Sequence, residues 1–254
     1  MKEEKICVVI PARYESTRLP GKPLIEIAGK AMIHRVYDQV SRAQNIDQVI
    51  IATDDDRILD FCKKNELQVM MTKKDHPSGT DRIAEVASQL DFPYFINVQG
   101  DEPMISPYQI DELAKFMIER KAPIATQIKL IEDEAHLFDF NIVKVVTTKN
   151  GKALYFSRQA IPAQRDLPFR QWMDGQSYFR HIGMYGFSRS TLLEVARLPE
   201  SSLEKSEKLE QLRWMEAGYD LYCSTTKYDS IGVDTQADVE RVEELITSGK
   251  TYQR

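Results

Sequence analysis

The chain is poor in the features that mark several large classes of protein. Its three cysteines stand far apart in apolar segments, which excludes a disulfide framework and a cysteine-based zinc site. The longest apolar run near the N-terminus has five residues, too short for a signal-peptide core, and no run is long enough to cross a bilayer. A net charge of −5 disfavours a general nucleic-acid binder. We therefore expect a cytoplasmic protein with neither membrane nor nucleic acid as a partner.

Several catalytic signatures are also missing from the sequence. It contains no Walker A loop, no G-x-G-x-x-G, no G-x-S-x-G, no H-E-x-x-H and no C-x-x-C. These absences argue against P-loop nucleotide hydrolysis, Rossmann dinucleotide binding, serine-nucleophile hydrolysis and HExxH-type zinc catalysis.

What is present begins with a polar loop, residues 11–24, directly after an apolar run at 6–10 that predicts a buried strand. Open α/β sheets bind ligands at the carboxyl ends of their strands. The loop carries three cations against one acid and is stiffened by prolines: Arg13, Arg18 and Lys22; Glu15; Pro11, Pro20 and Pro23. A stiff cationic loop suits a polyphosphate, although charge alone is equally typical of a solvated basic loop.

Periodicity in the first half alternates strands with helices. Apolar runs at 6–10, 49–53, 67–72 and 94–98 predict buried strands, each followed by an amphipathic helical pattern. This alternation indicates a three-layer αβα fold, doubly wound around a mostly parallel sheet. Three adjacent acids at 54–56 fit a helix start better than a metal site.

The second half changes character at a hairpin. Asn150-Gly151 lies between two β-type runs and is a strong hairpin signal, and residues 181–187 predict a further strand. We expect a small antiparallel lobe, roughly residues 124–190, inserted within a single domain that covers 1–254.

Two segments near the end of the chain predict helices. Residues 203–217 predict one helix that leaves Glu210 and Gln211 off its core face. Thr235 and Asp238 have the spacing of a cap on the last helix. The irregular segment 163–178 predicts a mobile surface loop, and the sequence leaves open whether it closes as a lid.

Seven motifs in collinear order resemble those of the CMP-Kdo synthetases, the 3-deoxy-D-manno-octulosonate (Kdo) cytidylyltransferases, over roughly residues 6–246. They are Arg13-x-x-Ser16-x-Arg18-x-Pro20-Gly21-Lys22-Pro23, His76-Pro-Ser-Gly-Thr-Asp-Arg82, Gln99-Gly-Asp-Glu-Pro103, Tyr155-Phe-Ser-Arg158, Arg180-His-Ile-Gly-Met-Tyr185, Leu209-Glu-Gln-Leu-Arg213 and Gly232-Val-Asp-Thr235. The resemblance implies a nucleotide-diphospho-sugar transferase-like fold. It also implies transfer of CMP from CTP to the anomeric hydroxyl of Kdo for lipopolysaccharide biosynthesis, with release of pyrophosphate, Mg²⁺ as cofactor and a homodimer formed through the second-half lobe.

The resemblance also implies roles for the residues that match its motifs. Catalytic roles fall to Arg13, Lys22 and Asp101, and Asp101 with Asp234 would hold Mg²⁺ at the ends of two adjacent predicted strands. The nucleotide-binding set is Arg13, Arg18, Lys22, Ser78, Gly79 and Gln99. The sugar-binding set is Gln99, Arg158, His181, Tyr185, Glu210 and Gln211.

Taken singly, several of these residues have a structural alternative. His181 and Tyr185 share one face of a predicted strand and fit a core, Glu210 and Arg213 fit an ordinary helix pair, and Asp234 fits a turn. The sequence does not separate Kdo from its 8-amino analogue or another 2-keto-3-deoxy sugar acid, nor does it give the number of metal ions. Ala163 also stands where the resemblance leads one to expect an aromatic residue. A catalytically inactive nucleotide-binding protein is a distant alternative.

Overall fold

A computed structural model describes residues 4–15, 19–229 and 231–249. Its strands are β1 (Ile6–Ala12), β2 (Glu26–Ile27), β3 (Lys30–Ala31), β4 (Gln48–Thr53), β5 (Val69–Met71), β6 (Tyr94–Asn97), β7 (Ile124–Leu130), β8 (Lys144–Thr147), β9 (Ala153–Ser157), β10 (Phe179–Ser188) and β11 (Leu221–Thr225). Its α-helices are α1 (Met32–Val40), α2 (Asp56–Lys64), α3 (Gly79–Gln89), α4 (Pro107–Arg120), α5 (Glu134–Phe138), α6 (Trp172–Gly175), α7 (Arg189–Val195), α8 (Ser202–Glu207), α9 (Gln211–Glu216) and α10 (Gln236–Thr247).

One large sheet organises the molecule. Its strands lie in the order β11-β7-β10-β6-β1-β4-β5. β1 pairs in parallel with β4 and β6, β4 with β5, and β11 with β7, whereas β10 runs antiparallel to β6 and β7. The prediction of a mostly parallel, doubly wound sheet is confirmed.

Helices cover both faces of this sheet because the buried side chains of β1 alternate between them. Ile6, Val8 and Ile10 pack in a core with α1, α2 and α4, whereas Cys7 and Val9 pack in a second core with α3, α7 and α9. All residues of the first strand except Pro11 are therefore buried, which is typical of a central parallel strand. This is the predicted three-layer αβα arrangement.

The antiparallel part of the chain is joined to the central sheet. β7 and β10 are members of that sheet, and the β8–β9 hairpin extends from it through pairing of β8 with β10. The predicted turn lies between β8 and β9. Gly151 there has φ +83°, and a Cβ at this position would lie 2.9 Å from the carbonyl oxygen of Cys223, so the turn requires glycine.

Three sequence expectations are settled at the level of secondary structure. Residues 203–217 form two helices, α8 and α9, because Lys208 adopts the left-handed region at φ +54° and ends α8; the single predicted helix is wrong. The predicted cap of α10 is confirmed, with Thr235 and Asp238 forming a capping box. The three cysteines are buried and unbridged, as expected.

The lobe carries a small aromatic core of its own. Trp172 and Tyr178 are buried with Ile131 and Leu137, and the indole N–H of Trp172 donates to Leu167 at 3.1 Å. Trp172 thus anchors the segment that the sequence marks as a mobile loop; its closure as a lid stays a prediction. Among the described residues, no helix is long and apolar enough to span a membrane.

Candidate active site

A cavity of about 430 Å³ opens where β1 and β6 end, at the edge where a doubly wound sheet places ligands. It is lined by residues 11–13, Glu15, Lys22, Pro23, Met32, Gly79 and residues 99–101. All but Pro11, Ala12 and Met32 come from three of the motifs singled out in the sequence, and the motif residues at the cavity are up to 88 positions apart along the chain.

Lys22 lies between two carboxylates at this cavity. Its Nζ is 2.6 Å from Oδ2 of Asp101 and 2.9 Å from Oδ1 of Asp234. Burial acts to lower the pKa of Lys22, but hydrogen bonds and charges from the two aspartates outweigh it and raise that pKa above its ordinary value. Lys22 is therefore positively charged at neutral pH.

Asp234 reaches this position by a different route from the one predicted. Residues 231–235 form no strand; instead the amide of Val233 donates to the carbonyl oxygen of Asp101 at 2.9 Å. The amide of Asp234 in turn donates to Oδ2 of Asp238 at 3.1 Å, at the start of α10. The two carboxylates lie on either side of Lys22, and their binding of a metal ion stays a prediction. The expectation that adjacent strands bring them together is wrong.

Arg13 connects the first loop to the second motif. Its Nη2 donates to the carbonyl oxygens of His76 and Ser78, at 2.5 and 3.3 Å. His76 lies in a loop, as expected, where its Nε2 is 2.5 Å from Oε2 of Glu85. The guanidinium of Arg13 is exposed beside the cavity, where an anion can reach it. Arg18 lies outside the described residues.

Ser78 and Glu210 form a polar junction between α3 and α9. The Ser78 hydroxyl caps α3 by accepting from the amide of Asp81, and its single proton lies between Oδ2 of Asp81, 2.5 Å away, and Oε1 of Glu210, 2.9 Å away. The hydroxyl of Thr80 donates to Oε2 of the same carboxylate at 2.9 Å. Burial raises the pKa of Glu210 despite these hydrogen bonds. The carboxylate of the half-buried Glu210 is therefore held at the N-terminus of α3 by two hydroxyl groups, next to Gly79, which lines the cavity.

Gly100 sets the spacing between β1 and the third motif. A Cβ at this position would lie 2.7 Å from the carbonyl oxygen of Pro11, closer than side chains tolerate. The missing side chain lets Gln99 and Asp101 approach the first loop, so that both line the same cavity.

Two of the predicted sugar-binding residues have neighbouring aromatic rings. His181 and Tyr185 lie side by side on β10 with ring centroids 5.1 Å apart, and Tyr185 packs against Trp214 of α9. Loss of hydration lowers the pKa of His181, and burial followed by the charge of Glu210 raises the pKa of Tyr185 well above its ordinary value. Both side chains are therefore neutral at pH 7.

Gln211 departs from the expectation for its helix. It begins α9 and is 3% exposed, so the prediction that it lies off the core face is wrong. The break at Lys208 rotates α9 relative to α8, which turns this side chain inward. Its side-chain nitrogen Nε2 has no hydrogen-bond partner within the described part of the chain, so this buried donor can bind an acceptor on a ligand.

Arg158 is held by backbone carbonyls on two sides. Its Nε donates to Glu207 at 2.7 Å and its Nη1 to Phe140 at 3.0 Å, and its own amide donates to the Glu207 carboxylate at 2.9 Å. The ammonium of the buried Lys144 donates to three carbonyls around it, those of Asp139, Ile142 and Arg158. The guanidinium is thus fixed in place; its contact with a sugar carboxylate stays a prediction.

The donor set at Asp101 and Asp234 fits Mg²⁺. This ion takes one or two carboxylates and completes its shell with phosphate oxygens and water. Two carboxylates that converge on one cation match that demand. No group of three or more His, Cys, Asp or Glu side chains in residues 4–15, 19–229 and 231–249 has a metal-binding arrangement, so a dedicated protein cage is absent there.

Sequence reasoning did not single out several residues that hold the site together. Thr80 belongs to the second motif but is not among the predicted ligand-binding residues, although its hydroxyl donates a hydrogen bond to Glu210. Glu207 and Lys144 support Arg158 from positions without a distinguishing pattern. Thr126 of β7 contacts His181, and β7 itself gave no clear periodic signal. Only Thr80 carried a sequence signal that could have revealed it.

Comparison with known proteins shows the family of the chain. The sequence model of a family described as cytidylyltransferase matches residues 7–225. The 3-deoxy-manno-octulosonate cytidylyltransferase of Cytophaga hutchinsonii is 47% identical over 240 residues, covering 93% of this chain and 96% of the relative. That of Bacteroides thetaiotaomicron is 44% identical over 247 residues, covering 95% and 98%.

Solved structures give the same result for the fold. A CMP:2-keto-3-deoxy-manno-octonic acid synthetase in complex with CTP superposes with a TM-score of 0.90 at 39% identity, covering 96% of this chain and 99% of the other. A cytidylyltransferase from Leptospira borgpetersenii superposes with a TM-score of 0.65 at 15% identity, covering 96% and 87%, which bears on the fold alone.

Proposed function

The chain belongs to the cytidylyltransferase family, and we propose that it transfers the CMP group of CTP to the anomeric hydroxyl of Kdo. Pyrophosphate is the other product. The relatives that carry this activity in their names match nearly the whole chain, sugar-binding half included. The product CMP-Kdo would serve lipopolysaccharide biosynthesis.

One observation carries the proposal: Nζ of Lys22 lies within 2.9 Å of a carboxylate oxygen of both Asp101 and Asp234, at a cavity that Lys22 and Asp101 line together with Arg13. Two cations and two carboxylates at the carboxyl end of a parallel sheet supply the charges that a nucleoside triphosphate with its counter-ion requires. Asp101 reaches Lys22 only because Gly100, which has no side chain, lets the third motif pack against the first loop, and an ion pair on an open surface would not need such close packing.

The reaction requires alignment and charge neutralisation only. The anomeric oxygen of the sugar acid attacks the α-phosphorus, the bond from that phosphorus to the bridging oxygen breaks, and pyrophosphate leaves with the electron pair while the hydroxyl proton passes to solvent. Arg13 and Lys22 would neutralise the phosphate oxygens as charge shifts toward the leaving group. Gln99 would lie beside both substrates, and Ser78 and Gly79 beside the cytidine.

We propose Mg²⁺ as the cofactor, held by Asp101 and Asp234. Bound there, it would supply positive charge to the phosphate oxygens and acidify the attacking hydroxyl. Lys22 would then shift its contacts from the carboxylates toward the phosphates, a move of a flexible four-carbon side chain.

Arg158 would bind the carboxylate of the sugar acid, and His181, Tyr185, Glu210 and Gln211 its hydroxyl groups. The orphaned amide nitrogen of Gln211 supports this assignment, because a sugar oxygen would give it an acceptor.

The decisive experiment measures pyrophosphate release with CTP, with and without Mg²⁺, on Kdo, its 8-amino analogue and N-acetylneuraminate in parallel. Release with Kdo that depends on Mg²⁺ is the expected result. Preference for the amino sugar would retain the mechanism and change the substrate. Binding of CTP without release of pyrophosphate on any acid would leave an inactive nucleotide-binding protein and overturn the proposal.

A homodimer formed through the second-half lobe is also proposed. Exposed aromatic side chains on the lobe support it, since Phe140 and Phe169 are 57% and 67% exposed. Light scattering after gel filtration tests it directly. A monomeric mass at micromolar concentration would overturn it.

A further inference from the structure

A buried hydroxyl lies beside the predicted sugar-binding histidine. Thr126 of β7 is fully buried, and its Oγ1 is 2.9 Å from Nε2 of His181. The same Oγ1 is 2.8 Å from the carbonyl oxygen of Met184 and 3.1 Å from that of Ile182. Both carbonyls belong to the irregular part of β10, where the pairing with β7 changes register between Ile182 and Tyr185. The hydroxyl thus contacts both carbonyls at the point where the strand pairing is irregular.

The number of protons in this group decides the state of the imidazole. A threonine hydroxyl carries one proton and two lone pairs, and a carbonyl oxygen can only accept. Both carbonyls can only accept, so the proton of Thr126 points to one of them, Met184 being the nearer, and a lone pair of Oγ1 faces the ring. An unprotonated Nε2 would place three acceptors around the single proton of Oγ1, and its lone pair would face a lone pair of Oγ1 whenever that proton points to a carbonyl.

We infer that Thr126 holds His181 in the Nε2–H tautomer and thereby makes Nδ1 the hydrogen-bond acceptor that the ring offers to a ligand. Within the part of the chain that the structure describes, no residue makes a hydrogen bond to Nδ1. The ring orientation is fixed by Phe156 edge-on and Tyr185 at a tilt, each with a centroid 5.1 Å away. Burial, which lowers the pKa of His181, keeps the ring neutral and this acceptor available.

The inference rests on the proposed function and makes it more specific. His181 would accept a hydrogen bond from a hydroxyl of the sugar acid, and would not donate one to it. A ligand group that only accepts, such as an ether oxygen, would meet a lone pair at this position. Thr126 is thus a positioning residue, acting through His181.

The test uses two substitutions at Thr126 with a matched control. Thr126→Val keeps the shape and removes the hydroxyl, whereas Thr126→Ser keeps the hydroxyl. Thr191→Val is the control, because Thr191 is also buried but lies on α7, where its hydroxyl accepts from Ser188 at the C-terminal end of β10, seven residues from His181. Long-range ¹⁵N–¹H spectra of protein labelled in its four histidines report the tautomer of each ring, and His181→Gln identifies the His181 signals.

Wild type, Thr126→Ser and Thr191→Val should show the Nε2–H tautomer of His181, and Thr126→Val a mixture of tautomers. The KM for the sugar acid should rise about 3- to 12-fold in Thr126→Val only, the worth of one hydrogen bond, while the KM for CTP stays unchanged. A merely structural role would affect both substrates and leave the tautomer unaltered.

An Nδ1–H tautomer in wild type would overturn the inference, as would Thr126→Val with an unchanged spectrum or an unchanged KM. If Thr126→Val does not fold, the wild-type spectrum and the Thr126→Ser kinetics still decide. A protein that turned over no sugar acid would defeat the proposed function, whereas the wild-type spectrum would still test the tautomer.

Discussion

The amide of Val233 donates to the carbonyl oxygen of Asp101 across 2.9 Å, and this one backbone hydrogen bond completes the carboxylate pair at Lys22. Val233 also packs with Val239 and Val242 of α10 in a small core beside the first loop. The C-terminal helix α10 therefore contributes to the site by packing against Val233. This packing places Asp234, which is distant in sequence, beside Lys22 of the first loop and Asp101 of the third motif.

Asp101→Asn should abolish turnover and leave the fold intact. The amide keeps the shape but removes one of the two negative charges proposed to hold Mg²⁺, and loss of such a group typically costs about 100-fold or more in kcat. Pyrophosphate release measures turnover, and the unfolding midpoint measures the fold. Asp91→Asn, at a fully exposed aspartate, is the matched control. Normal turnover in Asp101→Asn would remove Asp101 from the catalytic set.

Gly100→Ala should weaken CTP binding. The added Cβ would lie 2.7 Å from the Pro11 carbonyl oxygen, so the first loop and the third motif must separate, at a cost of about 1–3 kcal/mol. Calorimetric titration with CTP and chemical unfolding together measure this change. Gly175→Ala, where a Cβ would meet only Leu167 at 3.8 Å, should change neither quantity. Unaltered CTP affinity in Gly100→Ala would show that the loop tolerates the separation.

Asp54→Asn should destabilise the protein by about 3–5 kcal/mol, because Asp54 Oδ2 is 3.0 Å from Nη2 of Arg82, which is fully buried and would lose its counter-charge. Chemical denaturation measures the change in the free energy of unfolding. Asp56→Asn, at the exposed neighbour in the same acidic run, should stay within about 0.5 kcal/mol. Equal effects from both substitutions would contradict the buried pair.

Acid should destabilise the fold partly through His181. Loss of hydration lowers the pKa of His181 in the folded protein from 6.5 to about 3, so between these values the unfolded chain binds the proton and the folded chain does not. Stability contributed by the neutral ring is complete above pH 6.5 and is lost as pH falls toward 3. Denaturation midpoints at pH 5 and pH 8 should therefore differ less in His181→Gln than in wild type. An equal pH dependence in both proteins would contradict the shifted pKa.

The sequence by itself determined the layers, the cap of the last helix, the hairpin turn and the family. These depend on local periodicity, on residues such as Thr235 and Gly151 whose chemistry acts within a few positions, and on motifs that survive as strings of letters. The meeting of Asp101 with Asp234 was also foreseen, although through the wrong element.

Only the tertiary structure decided the rest, because it depends on contacts between distant segments. The break at Lys208 turned Gln211 inward, a loop and not a strand delivered Asp234, and the bulge in β10 placed a threonine hydroxyl against His181. None of these features has a local signature in the sequence. The left-handed backbone at Lys208, the backbone hydrogen bond from Val233 to Asp101 and the irregular register of β10 arise only when the whole sheet packs.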